Sequence, residues 1–191
     1  MAPVILASTS PYRRMLLERL GVPFSTESPG VDEAEISGEA PPERARRLAA
    51  AKAHAVALRH PEAVVIGSDQ VAAAGELILE KPATLARARG QLAALSGAEA
   101  RFYTACAILA PAGSGAAHLD ETRVVFRKLS AEEIERYVAR ERPLDCAGGF
   151  KAESLGVALF ERIESSDPTA LIGLPLIFVA AALRRFGHAV P

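Results

Sequence analysis

Hydroxyl and guanidinium side chains follow the first apolar segment of the chain in a pattern that suits an anion. Residues 4–7 read as a short strand, and the next seven are Ser8-Thr9-Ser10-Pro11-Tyr12-Arg13-Arg14. Pro11 favours the first turn of a helix. A helix N-terminus offers unpaired N–H groups and partial positive charge, hydroxyls donate hydrogen bonds, and guanidinium forks match phosphate oxygens. The segment therefore predicts a phosphate site.

Arg13 is expected to point into the protein. In a helix with about 100° between successive residues it lies among Leu16, Leu17 and Leu20, which form the apolar face. An arginine in such a position needs a partner, and a ligand phosphate is a suitable one. The alternative is that Ser10 is only an N-cap and the arginines only a solvated first turn. The helix dipole disfavours arginine there, which counts against that alternative.

Composition narrows the class of partner. The chain has 191 residues, half of them apolar, and a net charge of -1. A chain with nearly equal numbers of positive and negative charges has no overall electrostatic attraction for nucleic acid or for an anionic membrane. The expected partner is therefore a small molecule bound by a few placed residues. Cys106 and Cys146 form no CxxC pair and no secretory signal precedes the first strand, so disulfides are not expected and the cytoplasm is the expected location.

Hydrophobic periodicity and capping residues predict both strands and helices. Strands are expected at 4–7, 63–67, 101–109, 121–128 and 157–163. Helices are expected at 42–59, 84–95 and 130–140, and after Asp167-Pro168, where the apolar run 170–183 is too short to span a membrane. A Gly/Pro/Ser turn at 111–115 predicts a hairpin. Strict strand–helix alternation is lacking, so the expected fold class is α/β, with a mixed sheet flanked by helices.

A second inward cation is predicted in the second helix. Lys52 lies in the middle of the apolar stripe, four residues from both Leu48 and Val56. Lys52 could also extend its stem across the edge of the core and keep its ammonium in water. Together with Arg13, however, it would make two buried cations without partners, and this favours one shared anionic ligand.

Carboxylates supply the candidate base and metal ligands. Asp69 follows the predicted strand end at residue 67, where open α/β sheets place their ligand crevices. It could hold a divalent ion, accept a proton from attacking water, or only cap a turn. The acidic loop with Asp32, Glu33 and Glu35 is either a source of metal ligands or a solvated charge run.

Two later segments carry further polar side chains. Lys81 precedes a proline, which predicts extended backbone just before a helix. The glycine-bounded segment 145–156 contains Phe150, Lys151 and Glu153. It either walls a binding cleft or is a plain connection.

The motifs together resemble the Maf family of nucleoside triphosphate pyrophosphatases. The matching pieces are Leu6-Ala7-Ser8-Thr9-Ser10 with Arg13-Arg14, Gly67-Ser68-Asp69-Gln70, Glu80-Lys81-Pro82, and Cys146-Ala147-Gly148-Gly149-Phe150-Lys151 with Glu153. The resemblance spans nearly the whole chain and implies a single domain over 1–191, with an elongated mixed α/β fold similar to that of inosine triphosphatases. It also implies a cytoplasmic, homodimeric enzyme that needs Mg²⁺ or Mn²⁺, cleaves between the α and β phosphates and releases pyrophosphate.

The resemblance also implies roles for individual residues. Asp69 is the implied proton acceptor, and Glu33 would hold the metal with it. The implied triphosphate contacts are Ser8, Arg13, Arg14, Lys52 and Lys81.

Three positions separate two branches of the family. Tyr12, Gln70 and Glu153 resemble the branch that acts on 7-methyl-GTP rather than the branch that acts on dTTP and UTP, although Gly149 stands where a serine is expected. A methylated guanine carries delocalised positive charge, so we expect Glu153 to face the base, Tyr12 to offer an electron-rich ring and Gln70 to shape the pocket. Two alternatives stay open: a pyrimidine or other modified nucleotide as substrate, and a nucleotide-binding regulator of septum formation and cell division.

Overall fold

The computed structural model describes residues 1–191 and contains a seven-stranded mixed sheet flanked by five helices. The strands are β1 (Val4–Ala7), β2 (Phe24–Glu27), β3 (Val64–Ala74), β4 (Leu77–Leu79), β5 (Glu99–Leu109), β6 (Gly115–Phe126) and β7 (Phe160–Glu164). The helices are α1 (Pro11–Glu18), α2 (Pro41–Ala57), α3 (Leu85–Leu95), α4 (Ala131–Glu141) and α5 (Leu176–Arg185). None of these helices has the length and apolarity that crossing a bilayer requires.

The sheet has the strand order β2-β1-β3-β5-β6-β7, with β4 added on β3. β1 runs parallel to both β2 and β3, with Val4 opposite Phe24 on one side and Val64 on the other. β4 is antiparallel to β3 and β7 is antiparallel to β6. The prediction of a mixed sheet flanked by helices is therefore confirmed.

The chain forms two compact units. The first comprises Met1–Gln70, Tyr103–Asp120 and Asp167–Pro191, and the second comprises Val71–Phe102 and Glu121–Ser166. The core of the first unit is aliphatic; its buried members include Leu6, Leu16, Ile66, Leu174 and Leu183. The second unit buries an aromatic cluster in which Phe102, Phe126, Phe150 and Phe160 meet edge to face at centroid distances of 4.9 to 5.5 Å. That residues 1–191 act as a single domain stays a prediction.

The helix boundaries follow the capping residues. Thr84 accepts a hydrogen bond from the Arg87 amide at the start of α3, and Ser130 and Glu133 form a capping box at the start of α4. These side chains satisfy amides that would otherwise lack a partner. The predicted helices 84–95 and 130–140 are confirmed within one residue at each end, and the helix predicted at 42–59 is α2.

Several predicted boundaries are wrong. The strand predicted at 157–163 begins only at Phe160, after a short 3-10 helix at Leu155–Leu159, and the strand predicted at 121–128 begins already at Gly115. The strand expected to end at residue 67 continues to Ala74, so the tripeptide after Gly67 is not a turn but the middle of β3, where neighbouring strands and tertiary partners satisfy its polar groups. The C-terminal helix begins at Leu176 instead of directly after Pro168, because Gly173 has a φ of 124° and Pro175 lies just before the helix. The short strands β2 and β4 were not predicted.

α2 and β3 approach each other closely at Gly67. A Cβ atom on Gly67 would lie 2.5 Å from the Ala53 amide nitrogen and still nearer to the Ala49 carbonyl oxygen. Both obstacles are backbone atoms of α2, which cannot move aside as a flexible side chain can. Only glycine at this position lets the helix lie on the strand.

We predict that Gly67→Ala lowers the free energy of unfolding by about 1–3 kcal/mol, the usual range for overpacking a core. Gly90→Ala is the matched control, since Gly90 lies in α3 with no atom within 4 Å of a Cβ. There the higher helix propensity of alanine should raise stability by up to about 1 kcal/mol. Urea denaturation of both variants measures the effect, and a Gly67→Ala protein as stable as the original would contradict the prediction.

Candidate active site

Lys52 connects two carboxylates in the first unit. α2 carries Lys52 on its buried face, with about 5 % of the residue exposed. Its Nζ lies 2.6 Å from Asp69 Oδ1 and 2.8 Å from Glu33 Oε1. The inward orientation predicted for Lys52 is confirmed. The expectation that it lacks a protein partner is wrong, because β3 and the loop before α2 each supply a carboxylate.

The two carboxylates differ in exposure. The Asp69 side chain is 9 % exposed and the Glu33 side chain is 56 % exposed. Removing an aspartate from water is unfavourable unless a cation and hydrogen bonds replace the water, and Lys52 provides both. Glu33 at the open side lets solutes reach the pair. The arrangement is a buried carboxylate beside a solvent-accessible one, joined by a single ammonium.

Arg13 lies near the same carboxylates. It is half-buried in the first turn of α1, and its Nε donates a hydrogen bond to the Gly173 carbonyl oxygen at 2.9 Å. Burial lowers the pKa of the guanidinium, and the charges of Asp69 and Glu33 oppose this shift. The terminal Nη groups make no hydrogen bond within the chain, so the guanidinium keeps donors for an anion. The predicted inward position of Arg13 is confirmed.

The loop before α1 is held by its own hydroxyls. The Ser8 Oγ accepts a hydrogen bond from the Ser10 amide at 3.1 Å, and the Ser10 Oγ accepts one from the Arg13 amide at 3.4 Å. Ser10 is therefore the N-cap. Ser8 is buried and its hydroxyl hydrogen has no acceptor in the chain, so it remains a donor at the helix N-terminus. The cap and the anion site are compatible, since they use different hydroxyls.

Neighbouring residues on β3 face opposite sides of the sheet. Asp69 pairs with Lys52 of α2, whereas the amide nitrogen of Gln70 lies 3.0 Å from each of the carbonyl oxygens of Ala170 and Leu171 and from Thr104 Oγ1. This alternation is the ordinary period of a strand. Gln70 consequently anchors the loop before α5.

Two other predicted residues lie on α1. Arg14 pairs with Glu18 one turn along at 3.0 Å, on an exposed surface. Tyr12 is half-buried in the first turn. Their roles at a nucleotide stay predictions.

Lys81 and Glu153 belong to the second unit. Lys81 is exposed in the segment before α3 and has no ion pair or hydrogen bond within the chain. Glu153 lies in the loop between α4 and β7; partial desolvation raises the pKa of its carboxyl, and the charge of Lys151 opposes this. Lys151 is itself fixed, since its amide donates to the Tyr137 hydroxyl and its Nζ to the Glu141 carbonyl oxygen. The loop is thus ordered around Glu153.

The carboxylate pair fits a hard divalent cation. Asp69 and Glu33 both approach the same nitrogen atom, so both can also reach one ion beside it, and carboxylate oxygens are the ligands that Mg²⁺ and Mn²⁺ prefer. No group of three or more histidine, cysteine, aspartate or glutamate residues is arranged to hold a metal. Mg²⁺ is commonly bound by one or two carboxylates together with substrate phosphates and water. Such an ion would take its remaining ligands from the substrate.

Some residues around the site were not predicted. Ser68, Thr104 and Asp167 are fully or almost fully buried polar side chains. A serine or threonine inside an apolar strand signals a hydrogen-bond partner elsewhere in the fold, but the sequence does not identify that partner.

Sequence comparison with known proteins identifies the family. The model of the family described as Maf-like protein matches residues 3–186. The chain belongs to the Maf family. It is 53 % identical over 189 residues to a protein of Aromatoleum aromaticum named 7-methyl-GTP pyrophosphatase, covering 98 % of this chain and 97 % of that one. Proteins of the same name from Xanthomonas campestris pv. campestris and Pseudomonas putida are 54 % and 51 % identical over the full length of both chains.

Solved structures with a similar fold share little sequence with this Maf protein. A nucleoside-triphosphatase, dITP/XTP pyrophosphatase, from Mycobacterium abscessus has a TM-score of 0.44 and 19 % identity, covering 82 % of this chain and 92 % of that one. The Ham1 protein of Staphylococcus aureus has a TM-score of 0.48 and 13 % identity, covering 81 % and 89 %.

We predict that Lys52→Met destabilises the nucleotide-free protein by about 3 kcal/mol, because breaking a buried ion pair leaves Asp69 charged and without its partner. The matched control is Arg46→Met, which removes an exposed charge 3.8 Å from Glu43 on the same helix. Exposed pairs contribute little, so the urea midpoint of that variant should barely change. Equal midpoint shifts for the two variants would refute a special role for the buried pair.

Proposed function

We propose that this Maf protein is a nucleoside triphosphate pyrophosphatase that hydrolyses 7-methyl-GTP to 7-methyl-GMP and pyrophosphate, removing a modified nucleotide from the pool. The observation that carries the proposal is the buried Asp69 held by Lys52 beside the open carboxylate of Glu33. Full-length relatives at 51 to 54 % identity bear the name of that activity. We further propose that the enzyme works in the cytoplasm as a homodimer.

Asp69 is the proposed general base. Water that attacks phosphorus must lose a proton, and a carboxylate with one oxygen on an ammonium keeps its other oxygen for that proton. Bound at Asp69 and Glu33, Mg²⁺ or Mn²⁺ would supply positive charge that offsets the charge of the phosphates.

Cationic and hydroxyl groups hold the triphosphate. Arg13 offers its two Nη groups, and Ser8 offers its hydroxyl at the N-terminus of α1. Lys52, Arg14 and Lys81 are proposed to add charge, by their match to the family pattern. Positioning and electrostatic stabilisation of this kind supply most of the rate in phosphoryl chemistry.

The base is proposed to be read by Glu153 and Tyr12, with Gln70 shaping the pocket through its contacts with the loop before α5. Guanine methylated at N7 is cationic, so a carboxylate and an aromatic face favour it over guanine. A carboxylate near phosphates would repel them, and Glu153 is therefore proposed to face the base, where it can accept hydrogen bonds from the N1 and N2 edge.

The direct test measures pyrophosphate release from 7-methyl-GTP, GTP, UTP and dTTP, with Mg²⁺ or Mn²⁺ and again with excess chelator. We expect the highest kcat/KM for 7-methyl-GTP and no release when the metal is removed. A preference for UTP or dTTP would instead assign the other branch of the family. Binding without turnover of any nucleotide would favour a regulatory role, for which a base beside the phosphates is unnecessary.

Asp69→Asn separates chemistry from binding. It keeps the shape of the side chain and removes the proton acceptor, so kcat should fall by about two to four orders of magnitude while nucleotide affinity is retained. Calorimetric titration of the variant with 7-methyl-GTP measures whether the affinity is retained. Near-normal hydrolysis would exclude Asp69 as the base.

Glu153→Gln tests the reading of the base. The ratio of kcat/KM for 7-methyl-GTP to that for GTP should fall by about tenfold or more, the effect of one lost charge-assisted contact. Glu76→Gln is the control, since Glu76 is exposed in the turn between β3 and β4. An unchanged ratio in Glu153→Gln would remove the support for base recognition by this residue.

A further inference from the structure

The carbonyl oxygen of Gly173 accepts two hydrogen bonds from groups far apart in sequence. The Arg13 Nε donates to it at 2.9 Å, and the Ser68 Oγ lies 2.9 Å from it. The two lone pairs of a carbonyl oxygen can accept from both groups, and the single hydroxyl hydrogen of Ser68 is shared between this oxygen and a second one. Ser68 also lies 2.8 Å from the Ala105 carbonyl oxygen and is fully buried. The contact with Ser68 ties the backbone that supports Arg13 to the middle of β3.

The segment that carries this carbonyl is fixed from within. The Asp167 carboxylate accepts hydrogen bonds from the Thr169 amide at 2.9 Å, from the Thr169 hydroxyl at 2.6 Å and from the Ile177 amide at 2.7 Å. The Thr169 hydroxyl also lies 2.9 Å from the Leu174 carbonyl oxygen and accepts from the Leu176 amide. Hydrogen bonds thus hold the turn at its start, at its end and at the N-terminus of α5.

The sheet holds the same segment at a second point. The Thr104 hydroxyl donates to the Ala170 carbonyl oxygen at 2.9 Å, next to the contacts of Gln70. With Ser68, side chains of β3 and β5 therefore hold both sides of the turn. Side chains of the sheet, and not only the backbone of the turn, therefore hydrogen-bond to the carbonyl oxygens of this segment. These contacts restrict the position of the Gly173 carbonyl.

Gly173 itself admits no other residue without strain. Its φ of 124° is outside the range of ordinary side-chain-bearing residues. The guanidinium is planar, so a hydrogen bond at Nε restricts the directions in which the two Nη groups can point. The Nη groups are the donors left for an anion.

We propose that Ser68 and the Gly173 carbonyl are positioning groups that orient the Arg13 fork toward the triphosphate. The inference rests on the proposed function, since it needs a phosphate for Arg13 to bind. Pre-orientation matters because a guanidinium free to rotate loses conformational entropy on binding, whereas a fixed one does not. Neither group touches the nucleotide; both act through Arg13.

The test is a double-mutant cycle with Ser68→Ala, Arg13→Lys and the double variant. The readout is the affinity for a 7-methyl-GTP analogue that has a methylene group between the α and β phosphorus atoms, measured by calorimetry with Mg²⁺ present. We expect Ser68→Ala alone to weaken binding by about fivefold to tenfold, and to change it by less than about twofold when Arg13 is already lysine. Thr122→Val is the control, since it removes another buried hydroxyl, 2.8 Å from Ser165, and should leave affinity unchanged.

Each outcome of the cycle supports or overturns the inference. If the losses of affinity in the two single variants multiply in the double variant, Ser68 supports the fold without acting through Arg13. That result would overturn the inference while the proposed function stands. Unchanged binding in Arg13→Lys alone would do the same. An original protein that does not bind the analogue would overturn both. Ser68→Cys, which keeps a weak S–H donor, replaces Ser68→Ala if the alanine variant does not fold.

Discussion

The buried ion pair between Lys52 and Asp69 is the constraint on which the rest of the candidate site depends. Neither charge could leave water alone, because the desolvation of an unpaired ion exceeds what packing returns. The pair therefore requires that α2 and β3 lie side by side with the two residues at the same level. Glu33 completes the arrangement from a loop, so that two carboxylates face the ammonium of Lys52 and the nearby guanidinium of Arg13.

β3 organises the site because its two faces serve different partners. Gly67 and Asp69 face α2, whereas Ser68 and Gln70 face the turn before α5. One strand thus positions a carboxylate on one side and a backbone carbonyl on the other. A shift of register by one residue would exchange the two sets and bury the wrong groups. The strand also shows why polar residues persist in a buried element: each of them has a specified partner.

The helices could be predicted from the sequence because capping signals act on nearby residues. Pairings between residues far apart in the chain could not be predicted. Capping residues such as Thr84 and Ser130 act on amides three residues away, so helix boundaries could be read directly. The inward positions of Arg13 and Lys52 followed from helical periodicity. The partner of Lys52 did not, because Asp69 is 17 residues away and its pairing depends on tertiary packing. For the same reason Ser68-Asp69-Gln70 resembled a turn, since a polar tripeptide is buried only when distant groups compensate it. Whether the residues of the second unit contribute to the site could be suggested only by the family pattern.

The close approach of α2 and β3 at Gly67 limits which substitutions this protein can accept during evolution. The missing side chain of Gly67 sets the gap between α2 and β3, because the nearest atoms to a Cβ there belong to Ala49 and Ala53 of α2. A larger residue at Gly67 would meet the backbone of α2, widen the gap and separate the ammonium of Lys52 from the carboxylate of Asp69. The spacing between the two backbones is therefore inherited through Gly67, although glycine carries no reactive group.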